Sequence, residues 1–220
     1  MKSVLFDLDG TLIDTSEGIT KSAQYALAKF GIDEPDLSKL TCFIGPPLTY
    51  SFMTHYGFTE EQAKNAIGVY RERYTPIGIY ESMIFPHVKE AIQELKKRGY
   101  RVGVASSKPE PACHVVLDYF GMTELFDDIV GSTFDGRIST KEDVLDEVFR
   151  RWEDASKKNT LLVGDTIFDV KGANYKGIDC IAVSFGFGDV QEMLGAGAKA
   201  VCNDMRELPD LVDGVLGNEE

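Results

Sequence analysis

Two aspartates one residue apart, Asp7 and Asp9, close an apolar run in Val4-Leu5-Phe6-Asp7-Leu8-Asp9-Gly10-Thr11-Leu12. Carboxylates this close repel one another unless a divalent cation, or a proton held by one of them, removes the repulsion. Gly10 next to them allows a sharp turn or a positive φ. A solvated Asp-Gly turn is the plainer reading of such a stretch taken alone. Other polar residues end apolar runs in the same way. Ser106 follows Val102-Gly103-Val104-Ala105, and Asp165 follows Thr160-Leu161-Leu162-Val163-Gly164.

The elements that must position these groups follow from the pattern around them. Val4-Leu5-Phe6 reads as a strand buried on both faces, as in a parallel sheet. Arg101–Ala105 reads as a strand stopping at Ser106-Ser107, and Asp128–Gly131, Thr160–Gly164 and Ile178–Val183 read as three more. Helical stripes lie between them. Val88, Ala91, Ile92 and Leu95 follow i, i+3, i+4, i+7, with Pro86 before and Gly99 after. Val144, Leu145, Val148, Phe149 and Trp152 form a second stripe. The alternation predicts an α/β fold with a doubly wound parallel sheet. Ligands of such sheets bind beyond the carboxyl ends of the strands, where Asp7, Ser106 and Asp165 would converge.

Residues 15–85 break this rhythm. Ile19, Ala23, Leu27 and Phe30 mark one amphipathic helix stopped by Gly31, and residues 47–56 and 60–74 read as two more. The expected organisation is a core domain of residues 1–14 and 86–220 with a helical cap, 15–85, inserted after the first strand. Hinges would lie near Asp14-Thr15 and Phe85-Pro86. Placed over the first strand end, the insertion would act as a lid.

Composition narrows the partners. The 220 residues are 43% hydrophobic and 27% charged, with 36 acidic and 23 basic side chains and a formal net charge of −13. Such a surface repels nucleic acid and anionic membranes. Cys42, Cys113, Cys180 and Cys202 lie far apart without a Cys-x-x-Cys, so reduced thiols in a cytoplasmic protein are the simplest reading. The first apolar run is too short for a signal peptide, and no run is long enough to span a membrane. His55, His87 and His114 show no ligand spacing.

Four segments together resemble the haloacid dehalogenase superfamily of phosphohydrolases, in its phosphoglycolate phosphatase-like branch with an inserted helical cap. They are Asp7-Leu8-Asp9-Gly10-Thr11-Leu12, Ser106 in Val104-Ala105-Ser106-Ser107-Lys108-Pro109, Lys141 in Ser139-Thr140-Lys141-Glu142-Asp143, and Gly164-Asp165-Thr166-Ile167-Phe168-Asp169. The resemblance implies a Rossmann-like core and magnesium. It makes Asp7 the nucleophile that forms an aspartyl-phosphate and Asp9 the acid–base group. The metal would be held by Asp7, Asp165 and the Asp9 backbone carbonyl. Ser106, helped by amides at the following helix start, and Lys141 would bind the phosphoryl group. Thr11 is expected at the phosphate site, orienting Asp9 or its water. Asp169 is either a direct ligand or an outer-shell partner, and Lys108 is the rival phosphate lysine. Phe43-Ile44-Gly45-Pro46-Pro47-Leu48 resembles the family's specificity loop, with a plain helix connection as the alternative reading. Gly186-Phe187-Gly188 reads as a turn after the last core strand. The expected substrate is a small phosphorylated metabolite, either a phosphoglycolate-like ester or a nucleoside monophosphate, and the expected state is a monomer or homodimer. Two alternatives stay open: a β-phosphoglucomutase-like phosphotransferase, and a non-catalytic binding protein on the same fold.

Overall fold

A computed structural model describes residues 1–217. Its contacts divide into two compact units, Met1–Ile13 with Ile84–Glu220, and Asp14–Met83. The first begins with β1 (Ser3–Phe6), whose four residues are all buried. Burying each large apolar side chain there contributes about 1.5–3 kcal/mol, which makes this strand a firm base for the residue that follows it. The chain then forms β2 (Ile13–Asp14), and after the helical insert it returns through β3 (Met83–Ile84); these two short strands pair with each other.

In the insert, α1 (Ser16–Lys29), α2 (Leu48–Tyr56) and α3 (Glu60–Tyr74) pack together. α2 ends at Gly57, in the left-handed conformation, and α3 starts at Thr59 with a reciprocal capping box to Gln62. A 3-10 helix over Leu37–Phe43 was not visible in the sequence pattern. It brings Phe43 within 4.7 Å of Phe52, ring centroid to centroid. Phe43 is buried in this packing, the next residue Ile44 is buried as well, and Gly45 turns the Gly-Pro loop at φ 96°.

The larger unit continues with α4 (Val88–Lys97), β4 (Arg101–Pro109), α5 (Glu110–Tyr119), β5 (Asp128–Ser132), α6 (Lys141–Arg151), β6 (Thr160–Gly164), α7 (Ile167–Lys176), β7 (Asp179–Val183), α8 (Val190–Gly195), β8 (Ala200–Cys202) and α9 (Leu208–Gly217). Six strands form one sheet in the order β5-β4-β1-β6-β7-β8, and every pair is parallel. The order runs outward in both directions from β1, which is the switch point of a doubly wound sheet. Leu5 joins Leu162, Ala105 and the stripes of α6 and α7 in one core layer. α4 and α9 pack on each other and on the sheet.

Two expectations change here. β4 does not stop at Ser106-Ser107 but resumes at Pro109 after a slip in its pairing with β5. And β7 is not the last core strand: β8 follows it at the sheet edge, and its Ala200-Val201-Cys202 run is too short to stand out in the sequence.

Candidate active site

The register decides which residues meet. Phe6 pairs with Val104 on one side and Val163 on the other, so Asp7 emerges between the ends of β4 and β6, and its N–H donates to Val163 O at 2.9 Å. Asp165 leaves β6 beside it. Carboxylate oxygens of Asp7, Asp165 and Asp169 all lie within 4.8 Å of one another, and all three residues are buried. Asp9, one pleat further on, is 7% exposed.

Glycines create the room. Gly10 turns at φ 85°, and a Cβ on it would strike the Asp165 carboxylate. The same holds for Gly186, where a side chain would collide with Asp165 Cβ, and for Gly188, whose N–H donates to the Asp165 carbonyl at 3.1 Å. Between them, the Phe187 N–H donates to Asp165 Oδ2 at 2.8 Å. The Gly186-Phe187-Gly188 turn is therefore a clasp on Asp165. Sequence reading took it for a plain turn; the two glycines flanking one residue were the available signal, and their reason is close backbone approach. Thr11 donates to Asp165 Oδ1 at 3.3 Å, so its hydroxyl serves Asp165 and not Asp9.

Lys141 opens α6 and reaches the cluster by crossing α7 at Gly172, where a Cβ would lie 2.5 Å from its Cγ. Its ammonium lies 2.9 Å from Asp7 Oδ1 and 2.8 Å from Asp169 Oδ1, and it donates to Ala105 O at 2.8 Å. Two carboxylates and one backbone carbonyl thus surround its ammonium. Burial opposes the Lys141 charge, but Asp169 and Asp7 outweigh burial and hold its pKa above the ordinary value. Asp169 uses its other oxygen on the helix end: Oδ2 accepts from Thr166 N–H at 3.0 Å and Thr166 Oγ1 at 2.9 Å. Asp169 is thus both the capping residue of α7 and the anchor of Lys141.

Lys108 reaches Asp9. Its ammonium lies 2.9 Å from Asp9 Oδ1 and 2.8 Å from Oδ2. Ser106 is 2% exposed, and its Oγ accepts the Lys108 N–H at 3.3 Å. α5, the helix after Ser106, begins at Glu110, with Pro109 and Pro111 around its first turn.

Burial pushes the Asp7 carboxyl up to about 6, with Lys141 pulling it down and Asp169 and Asp9 adding to the rise. Burial also pushes Asp165 well above its ordinary value, and Asp169 and Asp7 contribute. The donor chemistry fits a hard divalent cation: oxygen ligands only, clustered and buried. The charge fits as well. Four carboxylates (Asp7, Asp9, Asp165, Asp169) and two ammonium groups (Lys108, Lys141) leave two negative charges when all are ionised.

The family model for haloacid dehalogenase-like hydrolases matches residues 4–183. The chain belongs to this family. The match takes in both the sheet centre and the insert, and with it the chain is an enzyme of the hydrolase class. A 5'-nucleotidase of Pseudomonas aeruginosa is 40% identical over 96% of this chain and 95% of its own. A solved structure described as a predicted phosphatase from Clostridium acetobutylicum is 41% identical, covers 96% of this chain and 97% of its own, and superposes with a TM-score of 0.93. The tyrosine-protein kinase PtkA of Mycobacterium tuberculosis is 35% identical over 84% of this chain, which spans 62% of that protein. Among the described residues no helix is long and apolar enough to cross a membrane.

Proposed function

We propose that the chain is a magnesium-dependent phosphatase of small phosphorylated metabolites that works through an aspartyl-phosphate on Asp7. The observation that carries this reading is the single lysine shared by Asp7 and Asp169 beside Asp165. A carboxylate is a weak nucleophile, so position and charge neutralisation must supply most of the rate. Asp7 meets the first need at the end of a wholly buried strand. Lys141 meets the second: it sits on Asp7 Oδ1 and leaves the other oxygen to attack phosphorus. Asp7, Asp165 and the Asp9 backbone carbonyl would hold the cation. When bound, it supplies charge neutralisation for the phosphoryl oxygens. Asp169 holds Lys141 through one oxygen and the start of α7 through the other, an outer-shell part beside Asp7 and Asp165.

Asp9 lies two residues beyond the nucleophile and is the group placed to protonate the leaving oxygen, then to take a proton from the water that cleaves the acyl-phosphate. Ser106 and Lys141 bind the phosphoryl oxygens. Of the two substrate classes, the likeness to a 5'-nucleotidase over nearly the whole chain favours a nucleoside monophosphate. The free thiols of all four cysteines agree with a cytoplasmic site of action. The test is phosphate release from nucleoside monophosphates, glycolate phosphate and sugar phosphates, with and without magnesium. Magnesium-dependent release that vanishes in Asp7→Asn supports the reading. Undiminished release in that variant, or none from any ester with the wild type, overturns it.

A further inference from the structure

The break in β4 is built into the sheet. Its pairing with β5 slips between Ser106 and Pro109, and Lys108 lies in the slip. Gly131 of β5 lies against it: a Cβ there would stand 2.6 Å from the Lys108 carbonyl and 2.5 Å from the Glu110 nitrogen. The Gly131 N–H donates to the Glu110 carboxylate at 3.2 Å, and the same oxygen takes Arg151 at 2.7 Å. Bulges of this kind re-aim side chains, often beside active sites. Here the re-aimed side chain is Lys108, which grips both oxygens of Asp9 while the two side chains are 5% and 10% exposed.

We propose that Lys108 is a positioning residue for Asp9, held by the β4 bulge so that the Asp9 carboxyl is aimed at the leaving group. This rests on the phosphatase reading above. In the first step the bond from Asp7 to phosphorus forms as the bond from phosphorus to the leaving oxygen breaks, and the proton of Asp9 passes to that oxygen. The transfer needs a carboxyl group within hydrogen-bond reach and correctly turned. A carboxylate torsion is intrinsically broad, and a two-point contact narrows it. Lys141 is already engaged by three acceptors of its own. The two lysines thus divide the work: Lys141 serves the nucleophile and Lys108 the proton carrier.

The experiment compares kcat/KM for an alkyl phosphate, whose leaving group needs the proton, with that for p-nitrophenyl phosphate, whose leaving group does not. Both esters carry the same phosphoryl group, so an effect on phosphoryl binding cancels in their ratio. Asp9→Asn sets the scale and should lower the alkyl ester by about 10²-fold or more while sparing the aryl ester, in line with the usual worth of a general acid. Lys108→Met should shift the ratio in the same direction by about tenfold or more. Lys108→Gln, close in length and uncharged, keeps the test alive should the methionine variant fail to fold. An equal loss on both esters would make Lys108 a phosphate-binding residue and overturn the proposal, as would no change in either. If Asp9→Asn itself leaves the ratio unmoved, the acid–base reading fails first and takes this one with it. If Asp9→Asn is selective and neither Lys108 variant is, the positioning role alone falls.

Discussion

Among the described residues the larger unit buries six aspartate and lysine side chains, Asp7, Asp9, Lys108, Lys141, Asp165 and Asp169, whereas the helical insert buries no aspartate, glutamate, lysine or arginine. The insert is held by aromatic packing, such as Phe52 against Phe58 at 5.4 Å, and by helix caps. Ion pairs of the insert such as Lys21 with Glu17 and Arg73 with Glu81 stay partly in water. Taking a charge out of water costs several kcal/mol unless a partner compensates. A fold that does so six times over in one place has a reason other than stability. The contrast separates charge that does chemistry from charge that decorates a surface, and each substitution below tests one side of it.

The largest effect belongs to the nucleophile. Asp7→Asn should lower turnover by about 10⁴-fold or more, as nucleophile removals do elsewhere. The amide keeps the shape of the side chain, so circular dichroism should be unchanged. Residual turnover above about a hundredth of wild type would place the nucleophile elsewhere.

Next comes the charge that organises the cluster. Lys141→Met leaves Asp7 and Asp169 buried without their counter-ion, and breaking a buried pair from one side costs about 3–5 kcal/mol. Urea denaturation should show that loss. Lys141→Arg should not restore activity, because the side chain runs over Gly172 with no space to spare and its three acceptors suit an ammonium. An arginine variant with full turnover would dissolve the distinction between this lysine and an ordinary surface cation.

How much of this contrast could be read in the sequence depends on the kind of signal. Asp7 and Asp165 were legible because a polar residue ending an apolar strand is a one-dimensional pattern, and a parallel sheet then gathers strand ends automatically. Lys141 was picked out only by the family resemblance, which its place at a helix start fits. The partner of Lys108 was not, since only the slipped register between β4 and β5 turns it toward Asp9, and a slip leaves no mark in residue type. The clasp on Asp165 was missed because it acts through the Phe187 backbone N–H. In the insert, the first helix followed from its apolar spacing and the segments 47–56 and 60–74 also read as helical, while the 3-10 helix over Leu37–Phe43 has no period long enough to read. Arg73 of α3 is engaged by Glu81 at 2.8 Å and by Ser22 at 3.2 Å, a pairing across the insert that no local spacing announces.

A third effect is on stability against pH in a chelator. Asp7 titrates near 3.8 when unfolded, and burial lifts it to about 6 in the native state. The native state then binds the proton more tightly than the unfolded chain. Stability from this group is full on the acid side and is lost as pH rises from about 4 to about 6, an effect of order 2–3 kcal/mol. Asp165 is raised as well and acts with the same sign. Asp7→Asn lacks the penalty, so without divalent cations it should be the more stable protein at pH 8, with the gap closing toward pH 4. Magnesium should stabilise the wild type at pH 8 by about 2.7 kcal/mol at a hundred times its dissociation constant, and Asp7→Asn by much less. Melting curves with and without magnesium at the two pH values check both statements, and parallel curves for the two proteins would mean that the carboxylates do not share a cation.

The smallest effect tests the other side. The Arg73–Glu81 pair is bidentate, with N–O distances of 2.8 and 3.0 Å, yet its side chains are 19% and 21% exposed. A double-mutant cycle of Arg73→Met and Glu81→Gln should give a coupling of about 1 kcal/mol, the upper end for pairs in contact with water. Glu81 has its pKa lowered, chiefly by the Arg73 hydrogen bond, so this contribution is present above the ordinary carboxylate range and fades as pH falls through the lowered value. Its pH dependence is therefore opposite in sign to that of Asp7. Salt should weaken the coupling, as it does for charges near the surface, and should leave the Lys141 pairs, 2% exposed at the lysine, largely untouched. A coupling near 3 kcal/mol that ignores salt would put the insert's charges in the same class as those of the core, and the division between the two units would lose its physical basis.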